Sequence, residues 1–427
     1  MKTLKVGMLG CGNVGSQIAR LLVANKADLA SRAGAQLELV KVAVKDIKAK
    51  RDGIATSLLT DDPYSVVNDP EIDLIIEVIG GISPAKELIL AAFKNGKSVV
   101  TANKALLAKE GAALYQAAGE ANVDLYYEAA VAGAIPILRP LRESLVGDQV
   151  IRIMGIVNGT TNYILTKMDE SGTAFADALK QAQDLGFAEA DPTADVEGFD
   201  AADKAAILAG LAFHSRVTDK DVYREGISKI TATDVKVAKA MEMVIKLLAI
   251  TELTAAGEIS VRVHPALISR NHPLASVRES YNAVFVEAKS AGQMMFYGRG
   301  AGGEPTASAV LGDLVAIARH KISGGIGPKE SDYASLKIAP IGQTKTKYLI
   351  RLNVADKPGV LESVAHVFAA HSVSIQTVRQ TGAGDKAELI VMTHSSTESA
   401  LSATVKDLSN LPAVTDVASV LRVEGAM

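Results

Sequence analysis

The sequence predicts an α/β protein in three parts: a doubly wound parallel sheet, an α+β region and a terminal β-α-β-β-α-β module. Three observations predict it. Short apolar strands alternate with helical segments through roughly the first 130 residues, a glycine turn joins the first strand to the first helix, and strand and helix patterning resumes after a Gly/Ser/Pro/Lys-rich stretch at 323–347. The chain has 427 residues, 48% of them hydrophobic, and a formal net charge of −3. Such a chain has ample cores, and neither nucleic acid nor an anionic membrane is expected as its partner. The single cysteine, Cys11, excludes an intramolecular disulfide and a cysteine-based metal cluster. The first residues run directly into a strand, not a leader, and no uninterrupted span of about 20 apolar residues follows, so a cytoplasmic location is expected.

Residues 5–9 form the first strand, followed by Gly10-Cys11-Gly12-Asn13-Val14-Gly15 and a helix over 16–24. Gly10 permits the tight turn, Gly12 lets a pyrophosphate approach the backbone, and Gly15 lets helix and strand pack closely. Further strands are expected at 37–44, 73–79, 98–101 and 124–128. A dinucleotide cofactor follows from that context. Lys45, Lys48, Lys50 and Arg51 after the second strand suit a 2′-phosphate, whereas Asp46 suits a 2′-hydroxyl. NADP(H) is therefore expected to be accepted, with NAD(H) left open. Beyond the fourth strand, Thr101 and Asn103 are capping residues for a helix opened by Lys104. A cation is disfavoured there unless an anion lies beside it.

The most distinctive stretch is the acid-rich loop with Glu189, Asp191, Asp195 and Glu197, which enters an apolar helix over 201–213. Asp200 stands where a carboxylate caps helix amides, and Lys204 shares its face one turn on. Alone, that pair reads as a solvated ion pair worth about 0.3–0.5 kcal/mol. With the other acids beside a nucleotide domain, it suggests a pocket that holds an ammonium and moves a proton with an amine. Earlier, the glycines and Pro136 after Glu128 expose carbonyls next to a carboxylate, an oxygen set suited to Na⁺ or K⁺, although a plain turn has the same composition. A strand near 153–157 ends in the polar turn Asn158-Gly159-Thr160-Thr161-Asn162-Tyr163.

Taken together and in order, the glycine turn, Thr101 to Lys104, Glu128 to Pro136, the run over 155–164 and the loop ending in Lys204 resemble homoserine dehydrogenase in its longer bacterial form. The resemblance spans essentially the whole chain. It implies interconversion of L-homoserine and L-aspartate 4-semialdehyde, with Lys204 as proton donor and acceptor and Lys104 near cofactor and substrate. It implies substrate contacts at Glu189, Asp200, Asp195, Gly159 and Thr160. Cofactor contacts would fall at Gly10, Gly12, Asn13, Val14, Gly15, Lys45, Thr101, Lys104, Gly186 and Gly302. Glu128 with the carbonyls of Val131, Gly133 and Ile135 would match the family's monovalent-cation site. A homodimer or homotetramer is implied as well.

Four regions are expected: a nucleotide domain over 1–130 with about 303–321 returning to it, a substrate-binding and dimerisation domain over 131–302, a linker over 322–346, and a module over 347–427. The last, with a turn at 381–385 between two of its strands, resembles the ferredoxin-like ACT domain, a small-molecule sensor. Threonine is its expected effector, bound near Asp356 and Gly359. An aldehyde dehydrogenase would require a thiol nucleophile, and the lone thiol lies in the phosphate turn. A non-enzymatic sensor would not require Lys104, Lys204 and the acids between them.

Overall fold

The structure, a computed structural model, describes residues 1–51, 53–330, 332–382 and 387–425; of the expected turn at 381–385, residues 383–385 lie outside these. Among the described residues, six strands make the nucleotide sheet: β1 (Thr3–Leu9), β2 (Gln36–Ala43), β3 (Leu59–Thr60), β4 (Leu74–Glu77), β5 (Ser98–Thr101) and β6 (Leu125–Tyr126). All pair in parallel, in the order β3-β2-β1-β4-β5-β6. The order reverses between β1 and β4, which places a ligand crevice at their carboxyl ends. Ile18 and Leu22 of the first helix, Asn13–Ala24, cover one face together with Val310, Leu314 and Ile317 of the late helix Gly303–Ser323. Leu88 and Ile89 of Ala85–Lys94 cover the other with Leu106 and Leu107 of Lys104–Ala121. The expected doubly wound fold is observed.

A second sheet begins with β7 (Val150–Ile156), β8 (Tyr223–Arg224), β9 (Met243–Leu253), β10 (Ile259–Ser269), β11 (Tyr281–Ala288) and β12 (Gly292–Arg299). It continues through β13 (Lys345–Val354), β14 (Ile375–Thr381), β15 (Ala387–Thr393), β16 (Ser396–Thr397) and β17 (Val414–Val423). Its main path is β12-β11-β7-β9-β10-β17-β13-β15-β14, so the terminal module extends the sheet of the middle domain. The two halves meet where β10 and β17 pair in parallel, Ala266 opposite Arg422 and Leu267 opposite Val423. The backbone over 337–339 is also tied to β10, with Ile259 N donating to Lys337 O and Ala339 N donating to Ile259 O, each at 2.8 Å.

Charged side chains fill this seam. Arg262, nearly fully buried, reaches Glu252 at 2.8 Å and Glu424 at 3.1 Å, and Arg152 reaches Glu424 at 2.7 Å. Arg422 pairs with Glu225 at 2.9 Å and with Glu398. Desolvation largely offsets the attraction within such buried pairs, but an unpaired member would cost several kcal/mol, so the cluster specifies how the halves dock.

Candidate active site

The helix Phe199–Phe213 carries Asp200 and Lys204 and starts two residues earlier than the sequence suggests. Gly198 precedes it at φ 78°, a left-handed conformation that favours glycine, and no side chain caps it. Asp200 is therefore not the cap expected of it. Its carboxylate is shared between two lysines: Oδ2 accepts from Lys204 Nζ at 2.6 Å, and Oδ1 pairs with Lys104 Nζ. Lys204 is only 7% exposed, and it also donates to the Val157 carbonyl at 2.6 Å. It is held in a polar pocket where the helix passes from Asp200 and Asp203 into the apolar run that follows.

Lys104 is the first residue of its helix, where Asn103 caps by accepting from Leu106 N at 3.2 Å. The anion that compensates this cation is Asp200 from the other domain. Burial drives the Lys204 ammonium toward the neutral amine; Asp200 opposes, Lys104 repels, and the net shift is downward. For Lys104, burial is outweighed by Asp200 and the shift is upward. For Asp200, burial is outweighed by the two lysines, which hold its carboxyl well below the usual range. Of the two lysines, Lys204 is the one poised to lose its proton.

The acid loop reaches this centre unevenly. Asp195 Oδ1 accepts from Asn158 Nδ2 at 2.7 Å, and the same nitrogen donates to Asp200 Oδ2 at 2.9 Å. Glu189 stays exposed on the loop, as does Gly186 in the turn before it. Thr160 Oγ1 ties the loop down by donating to Phe187 O at 2.7 Å. Gly159 opens the helix Gly159–Ser171, where a Cβ would lie 2.7 Å from Ser280 O.

The glycine turn forms a cradle. A Cβ on Gly10 (φ +97°) would lie 2.7 Å from Val78 O and one on Gly15 2.6 Å from Gly10 O, whereas Gly12 faces open space. No side chain caps the Asn13–Ala24 helix, so its amides are available to phosphate. A Cβ on Gly303 would lie 2.9 Å from Asn13 O, which brings the glycines that open the helix Gly303–Ser323, with Gly302 at φ 117°, beside Asn13. Lys45 is exposed. Arg51, by contrast, folds back, its Nη1 donating to Asp46 O at 2.8 Å and its Nε reaching Cys11 O at 3.4 Å. Thr101 faces inward and donates to Glu77 Oε2 at 2.5 Å. Glu77, fully buried and with its pKa raised by that burial, also accepts from Ile79 N and Gly80 N, so it shapes the loop beyond β4. Sequence reasoning passed over Glu77 because it closes an apolar strand, and over Asn158 because it read only as part of a polar turn.

Glu128 Oε1 accepts from Ile137 N at 2.6 Å and Leu138 N at 2.8 Å, and Oε2 from Arg139 N at 2.8 Å. These three amides, just after the turn through Val131, Gly133 and Ile135, hold the buried Glu128 carboxylate in the fold's crossing between domains. In the terminal module, Asp356 Oδ1 accepts from Gln380 Nε2 at 3.1 Å, and Gly359 (φ 88°) precedes the helix Val360–Ala370.

Residues 10–128 match the family model for the NAD-binding domain of homoserine dehydrogenase, and 136–315 match the model for homoserine dehydrogenase itself. The chain belongs to the homoserine dehydrogenase family. Residues 348–413 match the ACT domain. The homoserine dehydrogenase of Corynebacterium glutamicum is 54% identical over 423 residues, covering 98% of this chain and 95% of that one. The crystal structure of a homoserine dehydrogenase from Thiobacillus denitrificans superposes with a TM-score of 0.94 at 40% identity, covering 99% of both chains. A hyperthermophilic archaeal homoserine dehydrogenase solved in complex with NADPH has a TM-score of 0.63 at 28% identity, over 74% of this chain and 98% of that one. As a homoserine dehydrogenase this chain is an oxidoreductase with a nucleotide cofactor and a small-molecule substrate. Among the described residues, no helix is long and apolar enough to cross a membrane.

Proposed function

We propose that Lys204 moves the proton in the interconversion of L-homoserine and L-aspartate 4-semialdehyde. The observation that carries this is a buried lysine whose ammonium is destabilised by burial yet tethered to Asp200 and the Val157 carbonyl. When bound, the nicotinamide takes or returns the C4 hydride. In oxidation the neutral Lys204 amine accepts the hydroxyl proton; in reduction the ammonium gives it back. Lys104 orients the reacting oxygen from the nucleotide side. Asp195 and Glu189 hold the substrate ammonium, Asp200 Oδ1 offers one further acceptor position, and the turn at Gly159 and Thr160 receives the carboxylate.

Gly10, Gly12, Asn13, Val14, Gly15 and Gly302 would cradle the cofactor, with Thr101, Lys104 and Gly186 bordering it, while the exposed Lys45 favours NADP(H). A Na⁺ or K⁺ ion held by Glu128 and the carbonyls of Val131, Gly133 and Ile135 would brace the crossing between domains. The functional unit is proposed as a cytoplasmic homodimer or homotetramer, divided at the boundaries expected from the sequence. Threonine is the proposed effector, bound near Asp356 and Gly359 beside the exposed edge strand β14.

Lys204→Ala should lower kcat by about 10²–10⁴-fold while leaving cofactor affinity near wild type. Near-normal turnover by the folded variant would remove Lys204 from the chemistry. Lys45→Ala should raise the KM for NADP⁺ several-fold and leave that for NAD⁺ unchanged; equal effects on both cofactors would rule out a 2′-phosphate role. Saturating threonine should weaken substrate affinity by about 5–150-fold, the usual range of allosteric coupling. Asp356→Ala should relieve that inhibition. Indifference of the full-length enzyme to threonine, or undiminished inhibition of the variant, would refute the sensor assignment.

A further inference from the structure

We propose that Asn158 is a positioning residue that clamps Asp195 and Asp200 together and so sets where the Lys204 amine stands. The inference rests on the reading of Lys204 as the proton carrier. Asn158 lies just beyond β7, buried at the N-terminus of the Gly159–Ser171 helix. The orientation of its carboxamide follows from its partners. Oδ1 accepts from Thr161 N and Thr161 Oγ1, both at 2.9 Å, so Nδ2 is the end turned toward the carboxylates. A flipped amide would set its oxygen against two carboxylates and its hydrogens against an amide donor.

The two hydrogens of Nδ2 match the two acceptors, Asp195 Oδ1 at 2.7 Å and Asp200 Oδ2 at 2.9 Å. That Asp200 oxygen also receives Lys204 Nζ, and the Val157 carbonyl next to Asn158 takes a second Lys204 hydrogen. The end of β7 thus holds the lysine directly through Val157 and indirectly through Asn158 and Asp200. Without the amide, two carboxylates of like charge would face each other and separate. Serine has a single hydroxyl hydrogen for this task, glutamine adds a methylene, and aspartate brings a third negative charge in place of two donors.

The charged groups around Lys204 are Asp200 on its own helix, Asp195 on the acid loop and Lys104 on the nucleotide-domain helix. Asn158→Asp is the informative variant, because aspartate caps a helix as well as asparagine does and keeps the contacts with Thr161. Homoserine oxidation requires the neutral amine, so its rate rises with pH through the Lys204 titration. A third carboxylate should move that rising limb of kcat/KM up by about 1–3 pH units, the usual effect of a close opposite charge. It should also raise the KM for homoserine at least several-fold, with the KM for NADP⁺ unchanged. A merely structural role would lower thermal stability and leave the limb in place. Lys204→Ala measured alongside separates the outcomes. If it abolishes turnover while Asn158→Asp leaves both the limb and the homoserine KM at wild-type values, the clamp is wrong and the catalytic reading stands. If Lys204→Ala turns over normally, the catalytic reading falls and the clamp with it. A shifted limb together with a dead Lys204→Ala supports both.

Discussion

The site depends on one carboxylate, Asp200, shared between two lysines that arrive from different domains. A lysine buried on an apolar helix would lose its charge or expel itself from the core. Asp200 keeps Lys204 in place and offsets part of the desolvation, while Lys104 on the far side repels its ammonium. The same carboxylate repairs a cation at a helix N-terminus. It thereby joins the nucleotide-domain helix to the helix that carries Lys204.

The helix that bears Asp200 is connected in turn to the terminal module. Arg422 on β17 grips Glu225 beside β8, and Glu225 N donates to Val263 O at 2.8 Å on β10. Two residues on, Ile227 N donates to Val196 O at 2.8 Å in the acid loop. Arg224 holds the Glu197 carbonyl, and its guanidinium stacks 3.4 Å from the centre of the Phe199 ring. These contacts tie β17, through the segment over 223–227, to the turn that starts the helix Phe199–Phe213. Sheet continuity makes the module part of the enzyme's framework, which favours point substitutions over truncation as probes of its role.

The nucleotide domain was legible in the sequence because its signals are local: a glycine turn between strand and helix, and strands short enough to read as units. The β-α-β-β-α-β rhythm after residue 345 was legible for the same reason. β9 and β10 were not, since strands buried on both faces carry no alternation to distinguish them from buried helix. The union of β10 with β17 depends on residues more than 150 positions apart, Ala266 with Arg422, and no local pattern encodes it. In the site, the pairing of Asp200 with Lys204 was visible at helical spacing. Lys104 was legible as a cation in need of an anion, but that Asp200 is that anion, and that Asn158 joins the group, were not, because only tertiary folding brings them together.

The pH dependence of kcat/KM for homoserine oxidation, measured on the wild type and on Asp200→Asn, tests the shared carboxylate most directly, because kcat/KM reports the titration of the free enzyme. Burial and Lys104 push the Lys204 amine toward neutrality, and Asp200 resists. With that resistance removed, the rising limb should move to lower pH by about 1–3 units, as expected for loss of a close opposite charge, even as the overall rate falls. A limb that stays in place, or moves to higher pH, would contradict a Lys204 amine governed by Asp200.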